Sequence, residues 1–468
     1  MLCPVENKPE PKSQTFCNSR LGKALAERNT PALFGAESFV SETISRDALQ
    51  AQAVQTLFEK ERLLLQWGTG VGKSRVAVMA VQSLVLAGKD RILLLVAETD
   101  HKRNWRKEFT DHYGEGWGNE LFDKLTVECY QSLCKYRDTR WDLIIADEAH
   151  HLRSDKRTDE FSTLHSHYVL CVSATISDRG DADNFLRMLD ARFGEFASLD
   201  FSVQDGINNK FIAEPKVYIR LLDLKKIEGR FDLKFTWGFP KRRRKVSCTL
   251  AEFRTICQDG DNYPAVEATV SCGAKEGYDY LCERIRDIRE RIKDKEKEEG
   301  LTPEEADKRD KSIKYMETEI KMLGNQRKTL LGWCKTEYAK GLLGRLSRKR
   351  YICFCTDVRQ AELLGASTVI NSDHNAKTNA ATILSFNEGR TSSLYAVGML
   401  REGTNLSNID AGVIIQLGGK ERLFIQEFGR ALRAKNPEQH VIVIDETRDV
   451  DYCNIALSGI DLKYITVK

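Results

Sequence analysis

Two short clusters in this 468-residue chain have the residue types and spacing that chemistry on phosphates needs. The first is Gly68-Thr69-Gly70-Val71-Gly72-Lys73-Ser74, preceded by the apolar run Leu63-Leu64-Leu65 and followed by a helix pattern from Arg75 to Leu86. Glycines let backbone N–H groups curl around phosphate oxygens with no Cβ in the way. In a strand–loop–helix setting, Lys73 reaches the β- and γ-phosphates of a nucleotide and the Ser74 hydroxyl binds Mg2+. The helix dipole behind the loop adds to the attraction for anionic oxygen. This predicts an ATP site with residues 68–74 and Arg75 around the phosphates. The strict spacing puts glycine where this chain has Trp67. A glycine-rich turn that ends in Lys-Ser by chance is the plain alternative.

The second cluster is Asp147-Glu148-Ala149-His150, delivered by the apolar run Leu143-Ile144-Ile145-Ala146. Ligands of open α/β sheets bind at the C-terminal ends of strands. There Asp147 would hold Mg2+ through its water shell, and Glu148 would orient and deprotonate an attacking water. Adjacent acids also mark ordinary helix N-termini. A strand ending in two carboxylates, roughly seventy residues after a Gly-Lys-Ser loop, is rarer by chance.

The elements that must position these clusters follow from periodicity. Asp47 to Val54, with Gln50 inside it, leads an amphipathic helix before the first strand. Arg91–Ala97, Leu125–Cys129 and Val169–Thr175 read as further strands, the first and last as continuous apolar runs of the kind buried in parallel sheets. Ser173 and Thr175 end the last of these, where they either link two sites or simply cap a core strand. The alternation of strand and helix describes one doubly wound nucleotide domain over residues 31–205, after a weakly ordered 1–30.

Val217–Leu222 starts a second domain, taken as 206–468. It carries an insertion over about 225–340, with the basic run Lys241-Arg242-Arg243-Arg244-Lys245 read as a loop that contacts phosphates or is merely solvated. Leu281, Ile285, Ile288 and Ile292 recur at helical spacing. After the breaker Gly300, the set Thr302-Pro303-Glu304-Glu305 is an N-cap, a first-turn proline and a capping-box glutamate. Ile313, Met316, Ile320 and Leu323 follow on a second helix, so an antiparallel helical hairpin is expected. After Lys349 the strands resume at Tyr351–Cys355, Val369-Ile370, Leu394–Val397, Val413–Ile415 and Val441–Ile444. Gln426, Arg430 and Arg433 share one helix face, where the arginines are either solvated or fingers reaching a γ-phosphate across a cleft.

Composition bounds the rest. The chain is 41% hydrophobic and 30% charged with net charge +3, which neither requires nor excludes a nucleic-acid partner. Its thirteen cysteines contain no C-x-x-C pair. Buried reduced thiols are preferred over a zinc site among Cys248, Cys257, Cys272 and Cys282, and a reducing cytoplasm follows. The start of the chain has no signal-peptide core, and no run approaches the length of a membrane span.

Taken in order, the motifs resemble those of superfamily 2 DEAH-box helicases and translocases. Gln50 is similar to the glutamine that precedes their phosphate loop. Gly70–Ser74, Asp147–His150 and Ser173-Ala174-Thr175 resemble motifs I to III. Arg401-Glu402-Gly403-Thr404-Asn405-Leu406 resembles motif V, and Gln426–Arg433 motif VI. The segment Asn104-Trp105-Arg106-Lys107-Glu108-Phe109 is similar to one in Swi/Snf-like and phage or repair-type DNA enzymes. The resemblance implies two RecA-like doubly wound lobes with ATP between them, and a nucleic acid, DNA by subfamily, lying across both with little sequence specificity. It also implies that Gln50 reads adenine, Gln426 senses the γ-phosphate, Arg430 and Arg433 stabilise the transition state, and Gly403 and Thr404 touch the nucleic-acid backbone or couple the sites. An RNA helicase of the same superfamily and an ATP-switch scaffold remain as alternatives. A scaffold has no use for Glu148 and two motif VI arginines.

Overall fold

The structure, a computed structural model, describes residues 44–68, 70–153, 155–173, 182–237, 244–258, 266–298, 300, 302–397, 406, 409–417, 437–457 and 464–467. The N-terminal stretch expected to be weakly ordered lies outside them.

The first sheet has strands β1 (Arg62–Trp67), β2 (Ile92–Val96), β3 (Leu125–Cys129), β4 (Arg140–Asp147), β5 (His165–Ser173) and β6 (Ala197–Phe201). All pairings are parallel, in the order β3-β2-β4-β5-β1-β6. Helices α1 (Arg46–Lys60), α2 (Lys73–Leu86) and α3 (Thr99–Tyr113) pack around it. Parallel strands covered on both faces need apolar side chains at successive positions. Accordingly β2 is buried at every residue, and Leu63, Leu64 and Leu65 of β1 are fully buried. Ser45 caps α1 by accepting from the Ala48 amide at 3.1 Å.

The second large sheet is also parallel throughout, in the order β12-β13-β11-β14-β15-β7-β16. Its strands are β7 (Lys216–Leu222), β11 (Tyr351–Cys355), β12 (Val369–Ile370), β13 (Ser393–Val397), β14 (Ala411–Ile414), β15 (Glu438–Ile444) and β16 (Tyr464–Val467). Strand β7 pairs with β15, Lys216 opposite Glu438, so everything from Asp223 to Arg350 is an excursion out of this sheet. Two parallel-sheet lobes of RecA type, with a helical hairpin inserted in the second, are the architecture expected from the motifs.

The insertion contains more than the hairpin. Strands β8 (Phe231–Trp237), β9 (Arg244–Thr249) and β10 (Val266–Cys272) form a small mixed sheet with β10 central, joined to helix α4 (Leu250–Gln258). Arg244 and Lys245 therefore begin a strand, whereas the sequence reading made the whole basic run a loop; residues 241–243 lie outside the described residues. The hairpin is α5 (Ala274–Glu296) and α6 (Pro303–Cys334). The capping box forms as expected, with the Thr302 amide donating to Glu305 Oε2 at 2.9 Å. Ile285, Ile288, Met316 and Leu323 are buried in the seam.

Where α6 ends and α7 (Thr336–Arg345) begins, the hairpin is fastened to the second lobe. Trp333 Nε1 donates to Asp357 Oδ2 at 2.7 Å, at the N-cap of α8 (Val358–Leu363). Fully buried Lys335 donates to Asp449 Oδ2 at 2.7 Å, to the Ile415 carbonyl at 2.7 Å and to Gln416 Oε1 at 2.9 Å; Asp449 lies on α9 (Arg448–Leu457). Among the described residues no helix is long and apolar enough to cross a membrane.

Candidate active site at the ends of β1, β4 and β5

Strand order explains why motifs far apart in sequence meet. β5 lies between β1 and β4, with Ser173 in register with Gln66 and Val172 with Asp147. The three C-terminal ends therefore stand side by side.

The loop after β1 is shaped by glycines. Gly72, with φ +105°, caps α2 without a side chain, and a Cβ there would strike Gln50 Nε2. A Cβ on Gly68 would meet the Val203 amide nitrogen at 2.7 Å, so only glycine fits against that backbone. Trp67 does not disturb the loop. It closes β1 with its side chain buried against Phe201, ring centroids 6.3 Å apart, and contributes only its carbonyl, which accepts from Lys73 Nζ at 2.8 Å. Ser74 stands on the first turn of α2, and Val71 is buried. Thr69 lies outside the described residues. Arg75 points to α1, where it pairs with Asp47 at 3.1 Å. Gln50 is buried against the loop and donates to the Val71 carbonyl at 3.2 Å. Its Oε1 is buried with no partner among the described residues.

At the end of β4, Glu148 sits in a left-handed turn with φ 50°, an uncommon conformation for a residue with a Cβ. It leaves two carboxylates side by side. Burial first, then the Glu148 charge, pushes the Asp147 carboxyl up to about 7, against the opposing pull of the Trp105 donor and the Lys73 ammonium. Trp105 Nε1 on α3 donates to Asp147 Oδ2 at 2.8 Å, and the Tyr130 hydroxyl donates to the Asp147 carbonyl at 2.6 Å. His150 Nδ1 is 3.4 Å from Glu148 Oε2 and 3.3 Å from Ser173 Oγ. One imidazole thus touches both the candidate base and the end of β5.

The structure therefore brings together Gln50, the loop, Lys73, Asp147, Glu148 and Ser173. Thr175, Gly403, Thr404, Gln426, Arg430 and Arg433 lie outside the described residues. Trp105 and His150 stand inside quoted motifs, but the sequence assigned no role to them or to Tyr130. Trp105 was visible as a lone tryptophan in a charged helix, one turn before the buried Phe109; the Tyr130 contact depends on tertiary placement alone. Among the described residues no three His, Cys, Asp or Glu side chains cluster as metal ligands.

Comparison with known proteins agrees with this geometry. Residues 43–178 match the family described as type III restriction enzyme, res subunit, and residues 334–435 match the helicase conserved C-terminal domain. The DNA 3'-5' translocase XPB2 of Sulfurisphaera tokodaii is 21% identical over 414 residues, covering 86% of this chain and 82% of that protein. Among solved structures, Dbp5 of S. cerevisiae, bound to RNA and ADP BeF3, is similar with TM-score 0.52 and 11% identity, covering 96% of this chain and 93% of the other. The ATP-dependent type ISP restriction-modification enzyme LlaBIII, bound to DNA, gives TM-score 0.51 and 12% identity, covering 92% of this chain and 31% of its own. At these identities the two structures speak for the fold alone. With one matched domain on each lobe and the likeness to XPB2 along most of both chains, this chain belongs to helicase superfamily 2 and is a nucleic-acid-dependent ATPase.

Proposed function

We propose that this protein is an ATP-driven translocase on DNA. Lys73 and the amides at the start of α2 would hold the β- and γ-phosphates, and Ser74 and Asp147 would hold Mg2+. The site's chemistry fits that ion: Asp147 and Glu148 are two crowded oxygen donors whose mutual repulsion a hard cation relieves. Bound there, Mg2+ would neutralise charge on the phosphate oxygens.

Glu148, turned out of the strand by its left-handed backbone, would orient and deprotonate the attacking water. His150 would keep that carboxylate in register with β5, so that a shift at Ser173 is felt at the base. Gln50 would read adenine beside the loop, Gln426 would sense the γ-phosphate, and Arg430 and Arg433 would stabilise charge developing on the transferred group. Closing and reopening the lobes with each ATP would step the motor along the strand.

The choice of DNA over RNA rests on one observation, the likeness to a DNA translocase along most of both chains. The test is the steady-state ATPase rate with no nucleic acid, single-stranded DNA, duplex DNA or RNA, with Lys73→Ala as the blank. Stimulation by DNA is expected. Preferential stimulation by RNA overturns the DNA assignment and keeps the motor.

A further inference from the structure

The insertion carries a second candidate site, away from the phosphate loop. A cavity of about 350 Å³ opens where β8, α4, α5 and α6 meet. Its walls are aromatic: Phe235 and Phe253 stack with ring centroids 4.7 Å apart, and Tyr280 stands edge-on to Phe235 at 5.8 Å. Its rim is formed by Tyr315 and Met322 on α6, which are 68% and 50% exposed. These two are one heptad apart, on a face distinct from the seam residues Met316 and Leu323.

One polar group in the lining is left over. Gln326 Nε2 donates to the Lys234 carbonyl, while its Oε1 is buried without a partner among the described residues. A pocket with aromatic walls, the Arg284–Glu319 ion pair at 3.0 Å in its lining and a spare acceptor suits a ring that carries N–H donors.

The surrounding charge says what such a ring is attached to. Thr236 lines the cavity, and one residue beyond it Trp237 ends β8. In register across β10, Arg244 begins β9 and Lys245 follows, both exposed, as the end of the basic run Lys241–Lys245. Arg254 on α4 lies 5.1 Å over the Tyr280 ring, with its charge paired to Glu283 at 2.7 Å, so the free cations here, among the described residues of the basic run, are Arg244 and Lys245. Aromatic faces beside a cationic track are how proteins hold single strands without reading sequence.

We propose that this cavity receives an unpaired base of single-stranded DNA whose backbone runs past Arg244 and Lys245 at the start of β9. The inference rests on the DNA motor reading, and it adds a contact outside the two lobes that distinguishes single strand from duplex. A base within a duplex is stacked on its neighbours and cannot enter the pocket.

The test uses the full chain with oligonucleotides carrying a single 2-aminopurine, whose fluorescence is quenched on stacking. Wild type is expected to quench it. Tyr315→Ala combined with Met322→Ala, both exposed and so compatible with folding, removes the rim but leaves the stacking walls, and is expected to reduce the quench and weaken single-strand affinity about tenfold. Duplex affinity and the ATPase rate without nucleic acid should stay unchanged. Arg244→Ala, a separate variant, should lower single-strand affinity with a shallower salt dependence. Unchanged single-strand affinity and quenching in the double variant would overturn the site while leaving the motor intact. Failure of any DNA to stimulate the wild-type ATPase would instead count against the motor.

Discussion

Two lysine–carboxylate sites in this chain are opposites. Asp449 is buried with Lys335 at 2.7 Å, and its second oxygen accepts from Gln416 Nε2 at 2.8 Å. Burial pulls the Lys335 ammonium down, and Asp449 opposes that pull. Asp147, by contrast, faces a second acid at Glu148, and its carboxyl is pushed up to about 7 although Lys73 and Trp105 both pull it down. One site has every charge matched and holds the inserted hairpin to its lobe. The other keeps an excess of negative charge at a strand end. That imbalance is what a metal-bound nucleotide would relieve, as the chemistry proposed for the second site requires.

The largest expected effect breaks the second site without touching the first. Glu148→Gln should lower turnover by about a hundred- to ten-thousand-fold, the usual worth of a general base. Nucleotide binding, followed with a fluorescent ATP analogue, and the urea midpoint should remain. If turnover survives, Glu148 is not the base.

Lys335→Met should do the reverse. It leaves Asp449 buried without its cation, a loss of about 3–5 kcal/mol. Urea unfolding measures it, and adding Asp449→Leu should recover most of the loss. Equal stability in the single variant would mean that the pair does not hold the hairpin base.

Asp147 sharpens the contrast through pH. Its folded pKa, about 7, lies above the ordinary 3.8, so the native state holds a proton that the unfolded chain gives up earlier. The resulting cost to stability is absent below pH ~4, grows as pH rises, and is complete above pH ~7. With divalent cations chelated, Asp147→Asn should raise the thermal midpoint at pH 8 and leave it unchanged near pH 4; with Mg2+ restored, it should abolish ATPase. The smallest effect is expected from Trp105→Phe, which keeps the ring and removes one donor to a carboxylate, worth about 1.5–3 kcal/mol. It should shift the Mg2+ concentration for half-maximal ATPase with little change in the saturated rate.

The covalent order of the chain already held much of this. Buried parallel strands read as unbroken apolar runs, and the glycine-rich loop and paired acids suggest the proposed chemistry because few other contexts use those residues at that spacing. The hairpin was legible too, since Gly300 and the Thr302 capping box act through local backbone geometry. Strands β8 and β9 were harder to see: beside the basic run, charge drew more notice than the alternation Phe231-Asp232-Leu233-Lys234-Phe235.

What only the tertiary structure decided depends on neighbours distant in sequence. The sequence places Ser173 at a strand end, but strand order alone sets it between the loop and the acids. Trp67 looks like a defect in a motif until its ring is seen in the core. Trp105 reaches Asp147 across 42 positions, and Lys335 meets Asp449 across more than a hundred. Such contacts arise from how sheets and helices pack, and no local pattern encodes them.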